Sequence, residues 1–151
     1  IKKAIPLDVI KKKFNLQTIV RITSDCPLIK KEMVEQIVDV YASSDVDYLT
    51  NYTLGGTSLE NPDDYISQTS TPDGFCLEVF DFACLKEAYK KAVDSYDLEH
   101  VTPWMRRENS ARLVSTGTPT IVGKFSIDTQ QDLPDVIVLK RWIDEGKVVF
   151  T

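Results

Sequence analysis

Apolar residues recur along this chain at two periods, and the switching between them predicts an α/β architecture. Leu7, Ile10 and Phe14 fall at i, i+3 and i+7, predicting a short helix entered at Pro6 and broken at Asn15. Residues 18–23 are rich in β-branched side chains and predict a strand. That strand stops at Ser24-Asp25-Cys26-Pro27, because Pro27 has no N–H for a central ladder. Asp25 is thereby placed at the C-terminal mouth of a strand. Over residues 30–41, Met33, Val34, Ile37, Val38 and Tyr41 share one helical face, completing a strand-loop-helix unit.

Residues 46–51 predict another strand, and 53–74, rich in Gly, Ser, Asn, Asp and Pro, predict a long irregular excursion. Residues 75–80 alternate, with Phe75, Leu77 and Val79 on one face and Cys76, Glu78 and Phe80 on the other. Glu78 is the odd member of that second face. Leu85, Ala88, Tyr89, Ala92, Val93 and Tyr96 predict one amphipathic helix, with Lys86, Glu87, Lys90 and Lys91 turned to water. A further helix is predicted over 98–107, with Pro103 near its first turn. Residues 120–127 predict a strand interrupted by Gly123 and closed by Asp128. Thr129 and Asp132 have capping-box spacing, so a helix through Trp142 and Ile143 is expected directly after Asp128, and 148–150 predict a last short strand. No repeat, low-complexity tract or linker divides the chain, and residues 1–151 are read as one domain.

Charge and composition then exclude several classes. Eighteen Lys and Arg against 23 Asp and Glu give a net charge of −5, which argues against a nucleic-acid backbone footprint. No apolar run reaches the roughly 18 residues that span a bilayer, and the basic opening lacks a secretory apolar region, so no membrane partner and a cytoplasmic location are expected. Cys26, Cys76 and Cys84 form no C-x-x-C pair and have one histidine, His100, for company; free thiols are expected. Neither a P-loop nor a G-x-G-x-x-G motif occurs, and no G-x-S-x-G elbow is present to partner His100 in a hydrolase triad.

What does suggest chemistry is the pair Asp25 and Asp128, each predicted where a strand gives way on one edge of a sheet. Ligands of open α/β sheets bind along that edge. Two carboxylates there repel unless a cation separates them, and magnesium fits oxygen ligands of this kind. The plain alternative is a pair of turn formers or helix caps.

The run Ile19-Val-Arg-Ile-Thr-Ser-Asp-Cys-Pro-Leu28 resembles the strand-and-loop motif of sugar-acid cytidylyltransferases, especially the branch of spore coat polysaccharide biosynthesis proteins. Four more segments match in order: Val46-Asp-Tyr-Leu-Thr-Asn51, Pro72-Asp-Gly-Phe-Cys-Leu-Glu-Val-Phe80, Glu99-His-Val-Thr-Pro103 and Ser126-Ile-Asp-Thr-Gln-Gln-Asp-Leu133. The resemblance implies a three-layer, Rossmann-like nucleotide-diphospho-sugar transferase fold with a mixed sheet. It implies transfer of CMP from CTP to a sugar or sugar acid with release of pyrophosphate, in polysaccharide precursor synthesis. Asp25 and Asp128 become the Mg2+ ligands and catalytic residues, joined by Arg21, which orients a phosphate or pairs with a carboxylate unless it is a partly exposed strand arginine.

The same resemblance assigns substrate contacts to Thr23, Ser24, Gly74, Glu78, Glu99 and His100. Glu78 would bond sugar hydroxyls, its alternative being an edge-strand carboxylate. Glu99 and His100 would touch the acceptor sugar, the alternative for His100 being a local cap or surface residue. Gly74 answers a turn of positive φ, positioning the Glu78 strand without having to touch ligand. Residues 52–71 are read as the arm of a homodimer or as a lid over the sugar. The family's basic, Gly- and Arg-containing nucleotide loop has no counterpart before Ile19, so the chain is read as lacking the front of the nucleotide half, with little or no transferase activity expected of it alone. Two other readings stay open: a degenerate sugar- or partner-binding module of the same fold, and a nucleotidyltransferase using a different NTP.

Overall fold

The structure is a computed structural model that describes residues 7–52, 71–72, 74–114, 116 and 125–150. In chain order the elements are α1 (Leu7–Phe14), β1 (Thr18–Arg21), α2 (Lys31–Ala42), β2 (Tyr48–Thr50), β3 (Glu78–Asp81), α3 (Phe82–Lys91), α4 (Ser95–His100), α5 (Pro103–Glu108), β4 (Ala111–Leu113) and α6 (Leu133–Asp144). The four strands form one mixed sheet in the order β1-β3-β2-β4. β3 runs antiparallel to both β1 and β2, pairing Arg21 with Glu78 and Thr50 with Glu78, while β2 and β4 are parallel. No described helix is long and apolar enough to cross a membrane.

Both faces of β2 and β3 are buried, and their residues alternate between two apolar clusters as the period of a strand requires. Leu49 and Val79 join Met33, Ile37 and Tyr41 of α2, Val136 of α6, and Leu28, Phe75, Leu77 and Phe125. Tyr48 and Phe80 face the other way, against Cys84 and Ala88 of α3 and Trp104 and Met105 of α5. Tyr48 and Phe80 stack with ring centroids 5.9 Å apart. Glu78 therefore sits on an interior strand, which removes the edge-strand reading.

Three sequence expectations change. The helix expected to run through Tyr96 ends at Lys91, and α4 begins at Ser95. Asp94 supplies the break, its side chain accepting from the Tyr96 N–H as an N-cap. Tyr89 and Val93 consequently face solvent, Val93 at 88% exposure, where periodicity alone had turned them inward. The second helix divides likewise, with α4 closing at His100 and Pro103 opening α5 as its first residue. α6 starts at Leu133 rather than directly after Asp128, because the Asp132 carboxylate accepts from the Asp128 and Thr129 N–H groups and from the Thr129 hydroxyl. Those bonds close a turn ahead of the helix. The strand expected over 120–127 lies largely outside the described residues, as does most of the 52–71 arm, and of the expected final strand Phe150 makes an isolated bridge.

Residues 75–77 lie outside the strand, joined to β2 by the Asn51 N–H to the Leu77 carbonyl at 3.3 Å and, beyond that, by side chains. Asn51, fully buried, donates to the Phe75 carbonyl at 2.9 Å and to Thr116 Oγ1 at 2.7 Å, and accepts from the Leu77 N–H at 2.7 Å. Thr50 Oγ1 donates to the Leu77 carbonyl at 3.0 Å. Just before this stretch Gly74 has φ +100°, and a Cβ there would lie 2.3 Å from the Phe125 carbonyl carbon. Only glycine combines that backbone angle with that approach. Gly74→Ala is expected to lower stability by about 2–4 kcal/mol, the sum of left-handed strain and overpacking, as read by urea denaturation monitored by circular dichroism.

Candidate functional site

The first part of the site is a buried charge cluster around Glu78. Its side chain is 1% exposed, with Arg106 at 8% and Arg21 at 28%. Arg21 Nη1 donates to Glu78 Oε2, Tyr48 Oη donates to Oε1, and Arg106 Nη2 donates to Oε1 at 3.2 Å. Arg106 Nε also donates to Tyr48 Oη at 2.9 Å, and its guanidinium lies 4.7 Å from the Tyr52 ring centroid. Among the described residues one carboxylate thus faces two guanidiniums, leaving the cluster one positive charge in excess.

Burial opposes ionisation of Glu78. Hydrogen bonds from Tyr48 and Thr102 and the charge of Arg21 outweigh it, holding the carboxyl below its ordinary range. Burial and the Glu78 charge push the Tyr48 and Tyr52 phenols upward, against the pull of Arg106, so both stay protonated donors. Both arginines stay charged: burial lowers them, but Glu78 and the tyrosines around Arg106, and Glu78 above all around Arg21, raise them further.

Register and a turn deliver these groups. Arg21 and Glu78 are cross-strand partners on β1 and β3. Arg106 comes from α5, which is set by a sharp reversal at Val101, φ 71°. A β-branched residue seldom adopts that angle, at a cost of order 1–3 kcal/mol, and the packing of buried Thr102 and Pro103 holds it there. Tyr48 and Asn51 fall inside the 46–51 motif, which assigned them no role, and Arg106 and Tyr52 carry no signal in the sequence, since a buried Arg reads like any helical surface Arg until its carboxylate partner is located.

The second part joins the two aspartate loops. The Ile127 N–H donates to the Asp25 carbonyl at 2.9 Å, so the segment bearing Asp128 lies against the loop bearing Asp25. Asp25 Oδ1 is buried and has no hydrogen-bond donor among the described residues. Ser126 Oγ lies 3.3 Å from Asp128 Oδ2 as its donor. Among the described residues no three His, Cys, Asp or Glu side chains gather as a metal cage. The Asp25 loop is closed by the Cys26 N–H to the Thr23 carbonyl at 3.1 Å, with Thr23 Oγ1 3.4 Å from Cys26 Sγ. A hydrogen bond from the Cys76 thiol, opposed by burial and aided by Thr23, brings the Cys26 thiol down to about 7.

The remaining sequence candidates are dispersed. Ser24 is exposed at the turn, and Glu99 and His100 are exposed on α4, where the His100 ring packs 4.3 Å from that of Tyr96. Gly74 abuts Phe125 and Ser126 through its backbone, tying the Glu78 strand to the Asp128 loop. The structure thus brings Arg21 to Glu78, and Asp25 to the Asp128 loop. Glu78's oxygens are engaged by protein donors.

Removing one partner of a buried charge group strands the others. Glu78→Gln is expected to cost about 3–5 kcal/mol in chemical denaturation, with Arg21→Met costing less, because Arg106 still pairs with the carboxylate. Glu78 also dictates a pH response. With its folded value depressed, its contribution is full above the unfolded value of about 4.3 and is lost as pH falls through the folded value. Wild-type stability between pH 5 and 2 should therefore fall more steeply than that of Glu78→Gln, as measured by thermal melts.

Comparisons with known proteins come from three directions. The family model described as cytidylyltransferase matches residues 7–143. An uncharacterized protein of Methanocaldococcus jannaschii is 30% identical over 131 residues, covering 83% of this chain and 47% of that protein. A cytidylyltransferase from Leptospira borgpetersenii serovar Hardjo-bovis shares the fold at a TM-score of 0.66 and 24% identity, covering 92% of this chain and 53% of that one. The chain spans about half the length of the relatives it matches. The match of the family model across nearly the whole chain shows that it belongs to the cytidylyltransferase family.

Proposed function

We propose that this chain carries the metal- and sugar-facing part of a nucleotidyltransferase that moves CMP from CTP to a sugar or sugar acid, releasing pyrophosphate. The spore coat branch and polysaccharide precursor synthesis are the setting we infer from the five ordered motifs. Helices on both faces of a mixed sheet support the three-layer arrangement expected for that activity. The observation that carries the reading is the junction of the Asp25 and Asp128 loops, together with a buried Asp25 oxygen that has no donor among the described residues.

A carboxylate oxygen withdrawn from water without a donor costs free energy unless a cation or proton meets it. A magnesium ion suits this donor set, since Mg2+ takes one or two protein carboxylates and fills its other positions with waters and substrate phosphates. Asp25 and Asp128 would hold it, and when bound it would withdraw charge from the α-phosphate. The chain's own residues do the rest. Arg21 and Arg106 keep an excess positive charge beside the sheet edge, favouring an anionic phosphate or carboxylate. Glu78 holds both guanidiniums in place. Thr23 and Ser24 offer hydroxyls at the turn that carries Asp25, and Glu99 and His100 offer exposed polar groups toward an acceptor. Catalysis in this arrangement is positioning and electrostatic stabilisation, with no covalent intermediate on the protein.

Calorimetric titration with CTP tests this. Binding should require magnesium and weaken at least about tenfold in Asp25→Asn and in Asp128→Asn, each having lost more than about 1.4 kcal/mol of ligation. UTP, GTP and ATP should bind less well than CTP. Affinities indifferent to magnesium and to both substitutions would contradict the reading and favour a non-catalytic module of the same fold.

A further inference from the structure

The Asp128 loop holds a buried hydroxyl to which the proposed transfer gives no role. Ser126 is 1% exposed and its Oγ donates to Asp128 Oδ2 at 3.3 Å, whereas Asp128 itself lies at the surface. Ser126 is fixed without reference to Asp128. The preceding Phe125 is buried against Phe75, ring centroids 5.3 Å apart, and the backbone of Phe125 and Ser126 abuts Gly74. The following Ile127 N–H donates to the Asp25 carbonyl at 2.9 Å. At Asp128 the backbone is held, its N–H donating to Asp132 Oδ2 at 3.0 Å, but an Asp side chain turns about a χ2 with broad preferences. A hydroxyl on a fixed backbone, bonded to one of its oxygens, restrains that turn.

We propose that Ser126 is a positioning residue for the cation site, its hydroxyl orienting the Asp128 carboxylate before a divalent cation arrives. This rests on the reading of Asp25 and Asp128 as the pair that holds the cation. A carboxylate already oriented by an outer hydrogen bond loses less side-chain freedom on ligation, and such partners tune affinity without touching the metal. A serine suits the task because the carboxylate can only accept and the hydroxyl is free to donate. It is also neutral: a Lys or Arg at this position would orient Asp128 equally well but cancel its charge and repel the cation. Ser126 therefore couples the Gly74 contact, and through it the segment leading into Glu78, to the Asp128 side chain.

Water proton relaxation enhancement with an equimolar mixture of Mn2+ and CTP tests this, since it reads bound manganese without turnover. Ser126→Ala should weaken binding about tenfold, the range that loss of an outer hydrogen bond on a metal ligand costs. In the Asp128→Asn background the same change should add nothing, because the hydroxyl acts through that carboxylate. Ser126→Thr, which keeps the donor, should bind as the wild type does. Ser126→Cys, close in size but a weak donor, should bind like the alanine variant, which separates the hydrogen bond from the packing. Wild-type affinity in Ser126→Ala or Ser126→Cys would overturn the proposal while leaving the cation site standing, provided Asp128→Asn still weakens binding. An equal loss from Ser126→Ala with and without Asp128 would overturn it too. Failure of Asp128→Asn to weaken binding would instead overturn the cation site itself, and this inference with it.

Discussion

A carboxylate with almost no access to water governs this structure. Removing an ion from water costs several kcal/mol, and Glu78 lies on an interior strand where nothing but protein can offset that cost. The donors come from three separate stretches of chain: Arg21 on β1, Tyr48 on β2, and Thr102 with Arg106 at the start of α5. Each must arrive in register for the charge to be tolerated. Buried ion pairs add little net stability over an apolar replacement, and their use lies in rejecting arrangements that leave a charge alone. Here the arrangement so selected is one that holds two guanidiniums around one carboxylate, a net positive charge among the described residues, beside the loops that follow β1.

That constraint propagates to the aspartates. The Asp25 turn leaves the end of β1 shortly after Arg21, and the Asp128 segment lies against it through Ile127. Gly74 packs its backbone on Phe125 and Ser126, and Asn51 fastens 75–77 through both its side chain and its backbone N–H. A rigid path therefore runs from Glu78 back through 74–77 to the Asp128 loop. Preorganisation of this kind matters for a reaction whose catalysis is mainly electrostatic, because polar groups already aimed at the developing charge need not reorganise.

Much of the fold was legible in the sequence wherever a period was clean and a stop signal followed. β1 ended before Pro27 and α2 kept its apolar face because β-branching and 3.6-residue spacing leave little choice there. The helix through Tyr96 misled because Tyr89 and Val93 continue the apolar spacing without any surface to meet, while the Asp94 cap breaks the helix between them and Tyr96. The pairing of Glu78 with Arg21 was open to a cross-strand argument once β1 and β3 were adjacent. Arg106 was not, since its partner is 28 positions away and only α5's reversal at Val101 delivers it. Asp25 and Asp128 could be nominated from strand ends, but their meeting depends on a backbone hydrogen bond that no local pattern encodes.

The central claim is that the meeting of those loops makes a divalent-cation site for a nucleotide. Crystals grown with CTP and Mn2+, measured for anomalous scattering at the manganese edge, test it most directly. The account predicts an anomalous peak within ligand distance of both the Asp25 and Asp128 carboxylates, with nucleotide phosphate completing the coordination. Nucleotide and metal bound away from these two carboxylates, or a peak that ignores Asp25, would contradict it.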